Sequence, residues 1–97
     1  MRVISRRALK EFWEKHSDAE ATLKTWYTRV KRAEWKTPSD VKVDYRNASF
    51  IKGNRVVFNI KGNYYRLVTA IHYQSGIVYI RFIGTHSAYD RIDASTI

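Results

Sequence analysis

The stretch RVVFNIKGNYYRLVTAIHYQSGIVYIRFIGT, residues 55–85, decides the fold, because apolar and polar side chains alternate along it with a period of two. Such alternation is typical of β-strands with one buried face. Lys61-Gly62-Asn63 and Gln74-Ser75-Gly76 interrupt the alternation with residues that favour tight turns. The stretch predicts an antiparallel meander of three strands: Arg55–Ile60, Tyr64–Tyr73 and Ile77–Thr85.

The register of the two hairpins decides which side chains share a face of the sheet. Two-residue loops in both turns place Asn59 opposite Arg66 and Arg81 opposite Ala70. We prefer this register for the second hairpin, because a three-residue loop would bury the Arg81 guanidinium without a partner. The predicted apolar face, which packs on helices, comprises Phe58, Ile60, Leu67, Ile71, Val78, Ile80 and Phe82. The predicted polar face carries Asn59, Lys61, Arg66 and Arg81.

The N-terminal third has helical spacing, with a short strand predicted at Met1–Ile4. Ser5 is a candidate N-cap for one helix, and Ser17-Asp18-Ala19-Glu20 has the pattern of a capping box that begins a second. Thr37-Pro38-Ser39-Asp40 is expected to end that helix, and the weakly patterned residues 40–54 are predicted to be a loop. We therefore expect an α+β fold: an N-terminal helical hairpin packed on a small antiparallel β-sheet, with a short C-terminal helical turn.

Length and composition predict one globular domain over residues 1–97. A chain of this length buries roughly two-thirds of its unfolded surface in a single core. Its 18 Lys and Arg against 9 Asp and Glu give a net charge of +9, which favours polyanionic partners. No cysteine is present, so disulfides, thiolate metal sites and a cysteine nucleophile are excluded. The N-terminal residues do not form a signal-peptide core and no apolar run is long enough for a membrane, so we expect a cytoplasmic protein.

Acidic residues are missing from a long central window. Between Asp44 and Asp90 there is no Asp or Glu, whereas six Lys and Arg, two His and six of the seven Tyr lie there. This composition suits a phosphate backbone with stacked bases. Hard metal ions such as Mg²⁺ are bound by carboxylates, and this window has none, so we predict no metal and no cofactor. The residues expected to bind the phosphates of a nucleic acid are Lys61, Arg81, Asn59 and Arg55.

Two segments of this window, Asn63-Tyr64-Tyr65-Arg66-Leu67-Val68 and Ile80-Arg81-Phe82-Ile83-Gly84-Thr85-His86-Ser87-Ala88-Tyr89-Asp90, resemble the HigB toxins. These are toxins of bacterial type II toxin–antitoxin modules in the RelE-like superfamily, and the resemblance covers nearly the whole chain. It implies a RelE-like fold and an mRNA interferase, a metal-independent endoribonuclease that cleaves mRNA, often on the ribosome, and inhibits translation and growth. It also implies three partners: mRNA, the ribosome and a HigA-type antitoxin with a helix-turn-helix domain.

Three residues within the resemblance are the candidate catalytic residues. Arg66 matches the strand arginine of the superfamily, and its planar fork of donors suits the scissile phosphate. His86 follows Thr85, which is expected opposite Arg66, and histidine exchanges protons near neutral pH. Tyr89 matches the C-terminal tyrosine of the family, and a helical turn brings it to the side of His86, where it would stack on a base or hold the proton-transfer geometry.

Other interpretations remain open at this point. Some superfamily members use lysines and arginines in place of a histidine, so the identity of the general base is undecided. A non-catalytic RNA- or ribosome-binding module would explain the same charge. A DNA-binding regulator fits less well, because the helical third has no evident basic recognition helix. We interpret His16 and His72 as structural, and His72 lies about 20 Å along the strand from Arg66.

Overall fold

The computed structural model describes all 97 residues as a five-stranded sheet with helices packed on it. The spatial order of the strands is β1-β5-β4-β3-β2. In chain order the elements are β1 (Arg2–Ile4), α1 (Arg6–Lys15), a 3₁₀ turn (Ser17–Ala19), α2 (Glu20–Arg32), α3 (Pro38–Asp44), β2 (Ser49–Ile51), β3 (Arg55–Ile60), β4 (Tyr65–His72), β5 (Ile77–Thr85) and α4 (His86–Tyr89). None of these helices has the length and apolar character needed to cross a membrane.

The three predicted strands of the meander are present, and two further strands extend the sheet at its edges. β2 pairs antiparallel with β3, whereas β1 pairs in parallel with β5. The sheet is therefore mixed, and the prediction of a purely antiparallel sheet is wrong. Parallel neighbours need a long crossover connection, which the chain from α1 to β4 supplies here.

The prediction that residues 40–54 form a loop is wrong. These residues contain most of α3 and all of β2. The Thr37 hydroxyl accepts from the Asp40 N–H, and the Asp40 carboxylate accepts from the Thr37 N–H at 3.1 Å. Pro38 stands in the first turn of α3, where its missing N–H costs nothing. The Thr37-Pro38-Ser39-Asp40 motif thus begins α3, while α2 ends earlier at Arg32.

Two predicted helix caps are absent. Ser5 precedes α1 with φ of 77° and makes no side-chain cap hydrogen bond. Ser17 lies in the 3₁₀ turn, and α2 begins at Glu20 without a side-chain cap. Full burial of Leu9 and Ala19 holds these segments, because helix stability in proteins comes mostly from the packing of an apolar face.

The β3–β4 register agrees with the prediction, and the β4–β5 register does not. Asn59 faces Arg66 as predicted. Ala70 faces Tyr79, whereas Arg81 was predicted there. The reason is the length of the β4–β5 turn, which has four residues between the paired strand ends instead of two.

A β-bulge in β5 changes the pairing near the end of the sheet. Arg81 falls between successive pairs and has no partner on β4. Beyond this extra residue the pairs shift by one, so Thr85 faces Tyr65 and Gly84 faces Arg66. The prediction that Thr85 faces Arg66 is therefore wrong.

The main core lies between the helices and one face of the sheet. Its buried members include Leu9, Trp13, Leu23, Trp26, Val30, Phe58, Ile60, Leu67, Ile71, Val78 and Ile80. Phe82 was predicted on this face, but the bulge turns it to the other one. There it packs on a second cluster formed by Val57, Val68 and Ala94, which the C-terminal segment covers.

Candidate active site

A cleft of about 470 Å³ lies where the β3–β4 turn meets the start of α4. Its walls are formed by His16, Asn63, Tyr64, Tyr65, Thr85, His86 and Ser87. The His86 N–H donates to the Tyr64 main-chain oxygen at 3.0 Å, and the Thr85 hydroxyl caps α4 by accepting from Ala88 N–H at 3.1 Å. These bonds hold the turn, the end of β5 and the first turn of α4 together.

His86 forms a pair with Asp90 at the mouth of this cleft. The imidazole Nδ1 lies 3.1 Å from a carboxylate oxygen of Asp90, one helical turn further along the chain. A neutral imidazole that carries its proton on Nδ1, beside this carboxylate, keeps a lone pair on Nε2. Asp90 is not among the residues predicted for the site. Its spacing of four residues from His86, in a segment predicted to be helical, is the signal that would have found it.

Arg66 does not line the cleft, but it is bonded to the β3–β4 turn that forms one of its walls. Its Nη1 donates to the Asn63 main-chain oxygen at 3.1 Å, and no carboxylate lies within ion-pair distance of the guanidinium. Gly84, opposite Arg66, is buried against the Phe82 ring, and a Cβ built on it would lie 2.6 Å from that ring. Because Arg66 donates only to Asn63 within the protein, the remaining donors of its guanidinium are available to a ligand.

The same turn contacts both candidate residues. Asn63 accepts from Arg66, and the next residue, Tyr64, accepts from His86. Tyr89, one turn along α4, is partly buried against the second cluster and does not line the cleft. The structure thus brings Arg66 and His86 to one turn, with Tyr89 supporting α4 from the sheet.

Lys61 lies on the opposite side of the sheet from its predicted position. Its Nζ is 3.4 Å from Asp18, which also accepts a 2.7 Å hydrogen bond from the Tyr65 hydroxyl. The positive φ of 50° at Lys61 interrupts the strand alternation, so the prediction that it shares a face with Arg66 is wrong. The Tyr65 hydrogen bond lowers the pKa of Asp18, and the same bond raises the pKa of Tyr65. Asn59 faces Arg66 and is exposed.

Arg55 and Arg81 meet at a different place. Both donate from Nε to the main-chain oxygen of Ile97, at 3.0 and 3.1 Å. Arg55 faces Ala70, four residues from Arg66 and about 13 Å away at the rise of a strand. The structure therefore places these two arginines at the C-terminal segment and not beside Arg66.

The other two histidines differ in position. His72 is exposed at the far end of β4, with its ring 5.3 Å from that of Tyr79. His16 was interpreted as structural, and it does stack on Phe12, yet it also lines the cleft. Helical periodicity places it correctly on the apolar stripe, but periodicity cannot show that this stripe ends at a cleft. No group of three or more His, Asp or Glu side chains is positioned to hold a metal ion.

These features define the general class of the protein. It is a basic α+β domain with a candidate acid–base site, in which an arginine without a carboxylate partner and a histidine–aspartate pair are attached to one turn. Residues 19–92 match the HigB toxin family, described as the RelE-like toxic component of a toxin-antitoxin system. The chain belongs to this family, which confirms the resemblance found in its sequence. The matched residues include Arg66, His86, Tyr89 and Asp90.

Several curated relatives are similar over most of their length. The mRNA interferase toxin HigB of Escherichia coli strain K12 is 29% identical over 92 residues, which is 93% of this chain and 88% of the relative. The mRNA interferases HigB of Escherichia coli O157:H7 and of Shigella flexneri have the same identity and coverage.

Proposed function

We propose that this protein is the toxin of a type II toxin–antitoxin system and acts as an mRNA interferase that cleaves mRNA without a metal ion. The observation that carries the proposal is the attachment of Arg66 and His86 to successive residues of one turn. Family membership and the names of the relatives support the same activity.

The reaction transfers the phosphoryl group of one phosphodiester from the leaving 5′-oxygen to the neighbouring 2′-oxygen. The ribose 2′-oxygen forms a bond to phosphorus, and the bond from phosphorus to the 5′-oxygen breaks. One proton must leave the 2′-hydroxyl and one must reach the leaving 5′-oxygen. Negative charge builds on the phosphate in the transition state, and the free donors of Arg66 would stabilise it there.

His86 would carry out one of these two proton transfers. The Asp90 carboxylate, 3.1 Å from Nδ1, would favour the tautomer with the proton on Nδ1, which would make Asp90 a positioning residue that acts through His86. Tyr89 would hold α4 on the sheet or stack on a base. The roles of Lys61, Arg81, Asn59 and Arg55 in binding RNA phosphates stay predictions. Asn59 is the best placed of the four because it faces Arg66.

The resemblance to the family supports several finer points of the proposal. We infer that cleavage takes place on mRNA in the translating ribosome, in the cytoplasm, and arrests translation and growth. A HigA-type antitoxin with a helix-turn-helix domain would silence the toxin. The hairpin of α1 and α2 on the sheet would be the RelE-like arrangement of this chain. The net charge of +9 supports association with ribosomal RNA and mRNA.

Induced expression and a purified translation system test the proposal together. Expression without antitoxin should arrest growth, and primer extension should reveal new 5′ ends in translated transcripts. The same ends should form when the purified protein is added to a translating mRNA with chelator present. Intact transcripts in the presence of folded protein would contradict the proposal.

A further inference from the structure

The cleft has an aromatic wall that the proposed proton and phosphate chemistry does not use. His16 stacks on Phe12 with ring centroids 4.2 Å apart and planes 7° apart. The edge of Tyr65 meets His16 at 5.5 Å, and Tyr64 follows at 6.5 Å from Tyr65. Four rings thus run from the helical core to the surface, and the last three line the cleft.

Tyr64 is the outermost ring of this row and is 69% exposed. It lies in the β3–β4 turn, where the main chain and not the side chain makes the structural contacts. An exposed aromatic ring does not contribute the stabilisation that burial of its apolar surface would give, so its position suggests a role in binding. Proteins that bind single-stranded nucleic acid use such rings as platforms for stacked bases.

The position of Tyr64 ties the aromatic wall to the candidate catalytic groups. Its main-chain oxygen accepts from His86, and its neighbour Asn63 accepts from Arg66. Because Tyr64 and His86 both line the cleft, a base stacked on Tyr64 would lie next to a phosphate that reacts at His86. The Asn63 side chain at the cleft wall offers donors and an acceptor of the kind that reads the edge of a base.

We propose that this cleft is the binding site of one nucleobase of the RNA, adjacent to the scissile phosphate. The base stacks on Tyr64, with His16 and Tyr65 behind it and Asn63 at its polar edge. The inference rests on the proposed function, because the base is taken to belong to the cleaved strand. No Asp or Glu lines the cleft, and together with the net charge of +9 this favours RNA over a protein segment as the occupant.

Binding can be measured separately from cleavage with short single-stranded oligonucleotides in which 2′-deoxyribose replaces ribose, because these lack the attacking hydroxyl. Fluorescence anisotropy at low salt should give a dissociation constant about tenfold higher for Tyr64→Ala than for the parent. Tyr64→Phe keeps the ring and should bind within about twofold of the parent. Phe50→Ala is the matched control, since Phe50 is also exposed, at 41%, but lies on β2 away from the cleft.

A double-mutant cycle that combines Tyr64→Ala with abasic positions in the oligonucleotide tests whether the occupant is a base. Abasic substitutions are moved along the oligonucleotide, one position at a time. One position should weaken binding to the parent but leave binding to Tyr64→Ala unchanged, because both changes remove the same stack. Equal losses for both proteins at every position, binding of Tyr64→Ala equal to the parent, or no measurable binding by the parent would overturn the inference. So would a Tyr64→Ala variant that loses only its complex with the antitoxin.

Cleavage of the matched ribose-containing mRNA separates this inference from the proposed function. If the parent cleaves and Tyr64→Ala binds and cleaves like the parent, the base site is wrong and the function stands. If the cycle succeeds but the parent never cleaves RNA, the function is wrong, and the cleft binds a base of an RNA that this protein does not cleave.

Discussion

Arg66 and Arg81 lie on neighbouring strands, and the sequence predicts both on the face that meets RNA. In the structure they belong to two different regions. Arg66 donates to Asn63 in the turn that also holds His86, whereas Arg81 joins Arg55 at the main-chain oxygen of Ile97. No Asp or Glu side chain pairs with an arginine in either region. The first region has a histidine bonded to the same turn, and the second fastens the C-terminal segment to the sheet.

Surface charge alone does not identify a phosphate site. Both arginines contribute equally to the net charge and to any long-range attraction of RNA. Each guanidinium donates one hydrogen bond to a main-chain oxygen, so the two differ in where that oxygen lies: Arg66 bonds its own turn, and Arg81 bonds the distant Ile97. Substitutions in the turn region should therefore affect cleavage, whereas matched substitutions elsewhere should not.

The largest effect is expected for His86→Gln in the turn region. Glutamine has a similar reach but cannot exchange a proton at neutral pH, so cleavage should fall by about 10²- to 10⁴-fold. The measurement is the single-turnover rate on a translated mRNA. His72→Gln is the control, because His72 lies at the far end of β4 and should leave the rate within about twofold. Equal rates for both variants would remove the distinction between the regions.

Asp90→Asn should have the next largest effect. The amide can accept a hydrogen bond from Nδ1, but it does not stabilise a charged imidazole, so kcat should fall by about 10- to 100-fold while KM stays near that of the parent. Asp90→Glu should recover part of kcat. Asp93→Asn serves as the control, since Asp93 bonds only Ser95 and Thr96 within the C-terminal segment. A rise in KM with unchanged kcat would show that Asp90 acts in binding and not through His86.

Gly84→Ala tests the packing of the Phe82 ring on Gly84, the residue of β5 that pairs with Arg66. The added methyl would meet the Phe82 ring at 2.6 Å, and overpacking of this kind costs about 1–3 kcal/mol in the free energy of unfolding. Denaturant titration gives the value. Combining it with Phe82→Leu should cost less than the sum of the single changes, because the smaller side chain leaves room for the methyl. Additive losses would show that the ring and the glycine are not coupled.

The smallest effect concerns the Asp18–Tyr65 hydrogen bond behind the cleft. The lowered pKa of Asp18 means that its stabilisation is complete above the ordinary value of 3.8 and is lost as the pH falls through the folded value. The raised pKa of Tyr65 means that the same bond contributes below its ordinary value of 10.0 and is lost above the folded value. The stability difference between Asp18→Asn and the parent should therefore be flat between these limits and shrink below pH 3.8. A difference that persists unchanged in acid would contradict this assignment.

Much of the fold could be predicted because alternation and turn residues are local signals. They predicted the three strands of the meander and the pairing of Asn59 with Arg66. The pairing of β1 with β5 could not be predicted, because nothing local in three residues specifies a distant parallel neighbour. The bulge at Arg81 was also invisible, since one extra residue in an alternating strand resembles a small change of register.

The candidate site was predicted in part. Motif resemblance supplied Arg66, His86 and Tyr89, and the structure joins the first two at one turn. Lys61 was misplaced because a positive φ at a non-glycine residue has no clear mark in sequence. Tyr64 and His16 were missed as cleft residues, because a cleft arises only when the helical hairpin and the β3–β4 turn are packed together.

The most direct test of the central claim is the cleavage rate of Arg66→Ala measured beside that of Arg81→Ala, on the same translated mRNA and with folding checked by circular dichroism. Both variants lose one positive charge from the same sheet, so any difference between them reports position and not charge. Arg66→Ala should lower the rate by about 10²-fold or more, because it removes stabilisation that grows in the transition state. Arg81→Ala should stay within about threefold of the parent. Equal losses in the two variants, or a larger loss for Arg81→Ala, would contradict the account.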